Sequence, residues 1–196
     1  MAAREDILQA IRSHGPAPRE RPKVPDFRRG SADLVGLFTA ALERLDGSTV
    51  AEPPADLQQW TTATFPQARR ICSTAPEVTG TVTVAEFSDW SAPSDVDVTV
   101  VRTPLGVAET GSILLTEKEL GVNTIAVLAE HLVVLLDPAD IVENIHRAYR
   151  HPGFQQAAYA VLLSGPSGSA DIGGVTVHPA QGVTTMTVVL AARHGN

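Results

Sequence analysis

Apolar positions recur with two different spacings along the chain, and the change of spacing divides it into elements. Between Arg4 and Ser13, Ile7, Leu8 and Ile11 share one helical face, and Gly15 with Pro16 ends the pattern. The next stretch, GPAPRERPKVPDFRRG, holds four of the fourteen prolines among many charges, so it reads as a tether over the surface. Beyond it Leu34, Leu37, Phe38, Ala41, Leu42 and Leu45 recur at three and four residues, which predicts a helix capped by Ser31 and stopped by Gly47.

From residue 48 the pattern alternates. STVAE reads as a strand, a helix starts at Pro54 and runs to about Ala63, and a short strand lies near RRICST. VDVTVVR, GSILLT, NTIAVLA and HLVVLL are β-branched or continuously apolar, too short for separate helices and too apolar for surface strands, so they predict a buried sheet. Asp137 and Pro138 then open a predicted helix with Ile141, Ile145 and Tyr149 on one face and Arg147 and Arg150 in its last turn. AYAVLL and TMTVVLA complete the strands. The alternation predicts an α/β fold in three layers, α/β/α, formed by a single domain over residues 31–196 behind an N-terminal helical arm and tether over residues 1–30.

Composition agrees with one core. The chain has 196 residues, 43% of them hydrophobic but only 5% aromatic, so Val, Leu, Ile and Ala must build the interior. No apolar stretch approaches the roughly 18 residues that span a bilayer, and residues 1–15 lack the apolar middle of a signal peptide, so a cytoplasmic protein is expected. Residues 1–29 carry seven Lys/Arg against four Asp/Glu, whereas residues 30–196 carry eight against eighteen. Such an acidic body speaks against nucleic acid as a partner, because phosphate contacts need clustered cations. The lone Cys72 excludes an internal disulfide and leaves too few thiolates for a cysteine-ligated iron–sulfur cluster, so any such centre belongs to a partner.

The common catalytic signatures are missing. No Gly is followed by Lys and no G-x-G-x-x-G follows a strand, which removes the Walker-type and simple dinucleotide loops. The histidines at 14, 131, 146, 151, 178 and 194 form no zinc-binding pair, and no metal site is expected. Gly165-Pro166-Ser167-Gly168 falls one residue short of the nucleophile turn of serine hydrolases.

Two stretches remain. In TPLGVAETGSILLT, Gly106 and Gly111 bracket Glu109, with Thr110 and Ser112 able to bond to it. Turned into a cleft, Glu109 would serve as base or nucleophile; in a plain hairpin turn it would face water. The second stretch, SGPSGSADIGG, follows a strand and offers free backbone N–H groups and hydroxyls to an anion before a short helical turn from Ala170. Asp171 would instead cap that turn or bind a ligand hydroxyl, and a purely structural Gly/Ser turn stays open.

Together GVAETGSILL, the His-initiated HLVVLL and SGPSGSADI resemble, in order and spacing over residues 98–191, the lactate-utilisation protein C family, the LUD-domain proteins. The resemblance implies a mixed-sheet fold like that of ribose-phosphate isomerases, glucosamine-phosphate deaminases and CoA transferases. It also implies a bacterial system that oxidises lactate to pyruvate with partners, at least one of which carries iron–sulfur clusters. Residue by residue it marks Glu109, Thr110 and Gly111, and then Ser164, Gly165, Pro166, Ser167, Ala170, Asp171 and Ile172. Family members usually have Arg-Thr where Gly168-Ser169 stand, and a His-Gly-Pro turn where this chain has HPAQGVTTM, so a less anionic ligand is expected here.

The expected site therefore has Glu109 as its catalytic residue. Gly106, Thr110, Gly111, Ser112, Ser164, Gly165, Pro166, Ser167, Ser169 and Asp171 surround a small carboxylate, a phosphorylated molecule or a cofactor fragment. The cofactor itself is unassigned. Three functions fit: a non-redox subunit of lactate oxidation, a stand-alone transferase or isomerase using Glu109 on an acyl thioester or sugar phosphate, and a scaffold without catalysis.

Overall fold

A computed structural model describes residues 2–15, 20, 22, 25, 30, 33–166, 168–169, 176–177 and 183–193. Helix α1 spans Ala2–Ser13 and leaves Ile7 and Ile11 exposed. Of the tether, Gly30 donates its N–H to Glu143 at 3.1 Å, which ties the arm to the body.

Helix α2, Leu34–Glu43, forms where the apolar spacing placed it and buries Phe38, Ala41 and Leu42. Its cap is Asp33 rather than Ser31: Asp33 Oδ1 accepts the Gly36 N–H at 2.7 Å, and Ser31 lies outside the described residues. The helix unwinds through Asp46, whose φ of 60° is left-handed, and Gly47 donates to the Leu42 carbonyl at 3.1 Å. After β1 (Ser48–Val50), helix α3 occupies Leu57–Thr64. It starts three residues later than Pro54, because Asp56 accepts the Gln59 N–H at 2.8 Å and caps the helix there.

Strands β2 (Ile71–Ser73) and β3 (Val98–Arg102) follow, then the short β4 (Gly106–Val107) and β5 (Ser112–Thr116). Helix α4, Glu117–Leu120, opens on a capping box in which Thr116 and Glu119 exchange hydrogen bonds. NTIAVLA was expected as a strand and is instead helix α5, Ile125–Leu128. Its apolar run was too short to separate the two states by pattern, and the Leu128 N–H closes on Thr124 at 2.9 Å. Thr99 Oγ1 in turn donates to the Ile125 carbonyl at 2.9 Å, fixing α5 to β3.

HLVVLL is β6, His131–Leu136. The single helix expected beyond Asp137 is replaced by a 3-10 turn at Pro138–Asp140, β7 (Ile141–Val142) and helix α6 (Ile145–Ala148) capped by Asn144. The reason is sheet pairing: Ile141 stands beside Gly106 in register and buries itself in the core, which breaks the helical spacing it shared with Ile145 and Tyr149. Helix α7 (Pro152–Gln156), β8 (Ala160–Leu163), β9 (Gly168–Ser169), β10 (Thr176–Val177) and β11 (Thr185–Leu190) complete the order.

The apolar runs divide between sheets. A five-stranded sheet of order β1-β11-β6-β3-β2 is parallel throughout, and a four-stranded mixed sheet has the order β7-β4-β5-β8. β9 and β10 pair antiparallel. One face of the parallel sheet, with Val98, Val100, Val133, Leu135 and Val189, packs on Leu57, Trp60 and Phe65 of the α3 region. The opposite face, with Val101, Leu132, Val134, Leu136 and Val188, packs on α2, on Leu120 and Ile125 of α4 and α5, and on Ile113 and Leu115 of the second sheet. Burial on both faces is why these strands read as unbroken apolar runs. The result is the expected α/β/α arrangement.

Candidate functional site

The two stretches singled out in the sequence meet at the second sheet. β4 and β5 form an antiparallel hairpin closed by the Gly111 N–H, which donates to the Val107 carbonyl at 2.9 Å. β5 also pairs with β8 so that Ile113 faces Leu163; one step further along the same register, Ser112 faces Ser164. Their Oγ atoms are 2.5 Å apart, and Thr110 Oγ1 lies 2.6 Å from Ser112 Oγ. Three hydroxyls thus run in series from the hairpin to the start of the loop.

Such a chain has two directions. Each hydroxyl has one proton and two are used in the links; when both links run the same way, one O–H is left to point outward at either the Thr110 or the Ser164 end. Ser112, only 3% exposed, is the fixed middle; Thr110 and Ser164 are half-buried. A carboxylate or carbonyl oxygen at the Ser164 end would draw all three donors toward itself.

Glycine sets the backbone of both segments. Gly111 has φ 63°, and a Cβ there would come within 2.3 Å of the Leu42 nitrogen. Gly165 has φ 75°, and a Cβ there would lie 2.2 Å from the Leu45 carbonyl oxygen. Both positions need a left-handed backbone and both press against the end of α2. In this structure these glycines allow contact with protein. Gly106 is buried as well, with Leu136, Ile141 and Phe38 around its Cα.

Glu109 is exposed at the hairpin tip. Its N–H donates to the Glu143 carbonyl at 3.1 Å, and its Oε2 accepts the Ile145 N–H at 3.2 Å, so the carboxylate faces the first turn of α6. Thr110 turns its hydroxyl to Ser112. Pro166 is buried beside Gly165. Ser167, Asp171 and the turn expected from Ala170 lie outside the described residues, and Ser169 is placed only as backbone in β9.

Glu117 holds β8 in place. Its carboxylate accepts the Ala158 and Tyr159 N–H groups, each at 3.0 Å, and these bonds hold its pKa below the ordinary carboxylate value. Cys72 is buried within the parallel sheet, in β2; burial, with a smaller push from Glu86, raises its thiol to about 11 despite the opposing pull of Arg70. Among the described residues no group of three or more His, Cys, Asp or Glu side chains is placed to hold a metal ion.

A cavity of about 790 Å³ lies outside the carboxyl ends of the parallel strands. It is bounded by residues 53–57 after β1, 76–77 after β2, Arg102 at the end of β3 and 191–193 after β11, and among the described residues none of those expected at the site lines it. Arg102 donates from Nε to Glu77 at 2.8 Å and from Nη2 to the same oxygen, while Nη1 donates to the Ala191 carbonyl at 3.0 Å. Sequence reasoning missed this group. Its one trace was a cation closing an otherwise apolar strand.

The parallel sheet with helices on both faces defines an α/β/α protein whose second sheet bears a hydroxyl chain. The chain belongs to the LUD-domain family, whose model matches residues 92–191. Among solved structures it is similar to a DUF162 family protein from Deinococcus radiodurans, with a TM-score of 0.64 and 15% identity over 81% of this chain and 96% of that one. At that identity the likeness concerns the fold. No curated protein matches. Among the described residues, no helix is long and apolar enough to cross a membrane.

Proposed function

We propose that this LUD-domain chain is a non-redox subunit of a bacterial lactate-utilisation system, binding a small carboxylate or cofactor fragment beside the 109–112 hairpin and the 164–171 loop. The observation that carries the reading is the Thr110–Ser112–Ser164 hydroxyl chain, which joins two segments far apart in sequence at one donor-bearing place. A three-carbon hydroxy or keto acid has the acceptors such a chain can satisfy. Electrons would pass to iron–sulfur partner subunits, since a single cysteine cannot ligate a cluster alone.

Deleting the gene in its own host and supplying lactate as sole carbon source tests the role: loss of growth is expected, restored by the wild-type gene. Unchanged growth overturns it. Titrating pyruvate and lactate into the labelled protein tests the site, with perturbations expected at residues 110–113 and 163–165 and weakened in Ser164→Ala.

The exposure of Glu109 favours a second reading, a transferase or isomerase using that carboxylate as nucleophile or base. It requires release of Glu109 from the Ile145 N–H. Unchanged turnover in Glu109→Gln eliminates it.

A further inference from the structure

We infer that the cavity at the carboxyl ends of the parallel strands binds an uncharged, mainly apolar molecule carrying a hydrogen-bond acceptor, of the class of aromatic amides and neutral heterocycles. Connections diverge at that edge of a parallel sheet, which leaves a crevice where α/β proteins receive ligands. A volume of about 790 Å³ lies within the range of small-molecule cavities and far exceeds what a three-carbon acid fills.

The walls favour an apolar body. Pro53, Pro54, Pro76, Ala191 and Ala192 contribute apolar surface and have no side-chain rotamers to lose when a ligand settles against them. Binding there orders little that is not already ordered.

The polar groups select the head. Arg102 has five N–H donors, of which three are committed to Glu77 and the Ala191 carbonyl, leaving two. Its side chain is only 16% exposed, so those donors are held in a fixed direction. Charge, by contrast, is already matched. Glu77 neutralises Arg102, while Arg193 pairs with Asp140 at 2.8 Å and donates its backbone N–H to Asp137 at 2.8 Å. An entering anion would meet the carboxylates of Glu77 and Asp56, and an entering cation would meet two guanidinium groups. A neutral acceptor satisfies Arg102 without either cost.

Three ligands of nearly equal size separate these possibilities: benzamide, benzoate and toluene, each titrated into the full-length ¹⁵N-labelled protein. Benzamide is expected to shift the amide signals of residues 55–57 and 191–193 and to bind at least five-fold more tightly than the other two. Ala192→Trp, which places a large ring on the cavity wall and leaves Arg102 and Glu77 unchanged, is expected to weaken benzamide at least ten-fold. Arg102→Met is expected to bring benzamide down to the level of toluene. Should that variant not fold, Ala192→Trp still decides the location and the three-ligand ranking the class. Shifts confined to other residues, benzoate binding as tightly as benzamide, or unaltered binding in Ala192→Trp would each overturn the inference.

Discussion

The two main sheets solve the burial problem in opposite ways. The parallel sheet is covered on both faces, and Val98, Val100, Val101, Val134 and Leu135 are fully buried within it. The mixed sheet is built from strands of two to five residues, and its outer strand β8 is only half-buried along its length. Yet the hydroxyl chain lies on the mixed sheet. The rigid sheet supplies the frame, while the linked hydroxyls sit where strands are short and one edge keeps access to solvent.

Matched truncations measure that difference. Leu135→Ala in β6 should cost about 3–5 kcal/mol and Leu162→Ala in β8 about half as much, because only the first leaves an enclosed void. Equal shifts in the urea midpoint would erase the distinction between the sheets. Gly111→Ala should cost about 2–3 kcal/mol, since φ is left-handed and the new methyl meets the Leu42 backbone rather than a movable side chain. A neutral outcome would mean that the hairpin moves independently of α2.

The next effect concerns acid. Asp97 Oδ2 accepts the Arg69 and Arg70 N–H groups at 2.6 and 2.8 Å; the Arg70 bond is the largest cause holding its pKa below 3.8, opposed by partial burial. A depressed folded value means the carboxylate's contribution is complete above about pH 5 and is lost as pH falls through 3.8 toward the folded value. Asp97→Asn should therefore lower stability at pH 7 and show a shallower decline in acid, read from thermal melts between pH 7 and 3. An unchanged acid slope would remove Asp97 from the framework of the parallel sheet. Ser112→Ala should be the mildest, about 1 kcal/mol or less, because Thr110 and Ser164 are half-buried and can turn to water. A larger loss would place the hydroxyl chain among the fold's structural supports.

Much of this was readable in the chain itself, for identifiable reasons. VDVTVVR, HLVVLL and TMTVVLA announce two-sided burial, and α2 announces its one-sided packing through spacing. Ile141, Ile145 and Tyr149 imitate a helix because positions four apart fit one turn, while the partner that makes Ile141 a strand residue, Gly106, is remote in sequence. The same limit governs the site. Glu109 and Ser164 stand out in their own segments, but the contact between Ser112 and Ser164 depends on the register of β5 with β8. Arg102 gave less warning still, because its cavity exists only where four strand ends converge.

The seating of the two glycines on α2 and on the turn that closes it makes the length of that helix a shared gauge. Gly111 rests against Ala41 and Leu42, and Gly165 against Leu45, so hairpin and loop take their positions from one stretch of backbone. Inserting a single residue before Ala41 would turn the downstream helical surface by about 100° and advance it by about 1.5 Å, moving both seats at once. Length variation between Phe38 and Leu45 is therefore far more constrained than the exposed positions there suggest, and homologues that keep the two glycines should keep this spacing too.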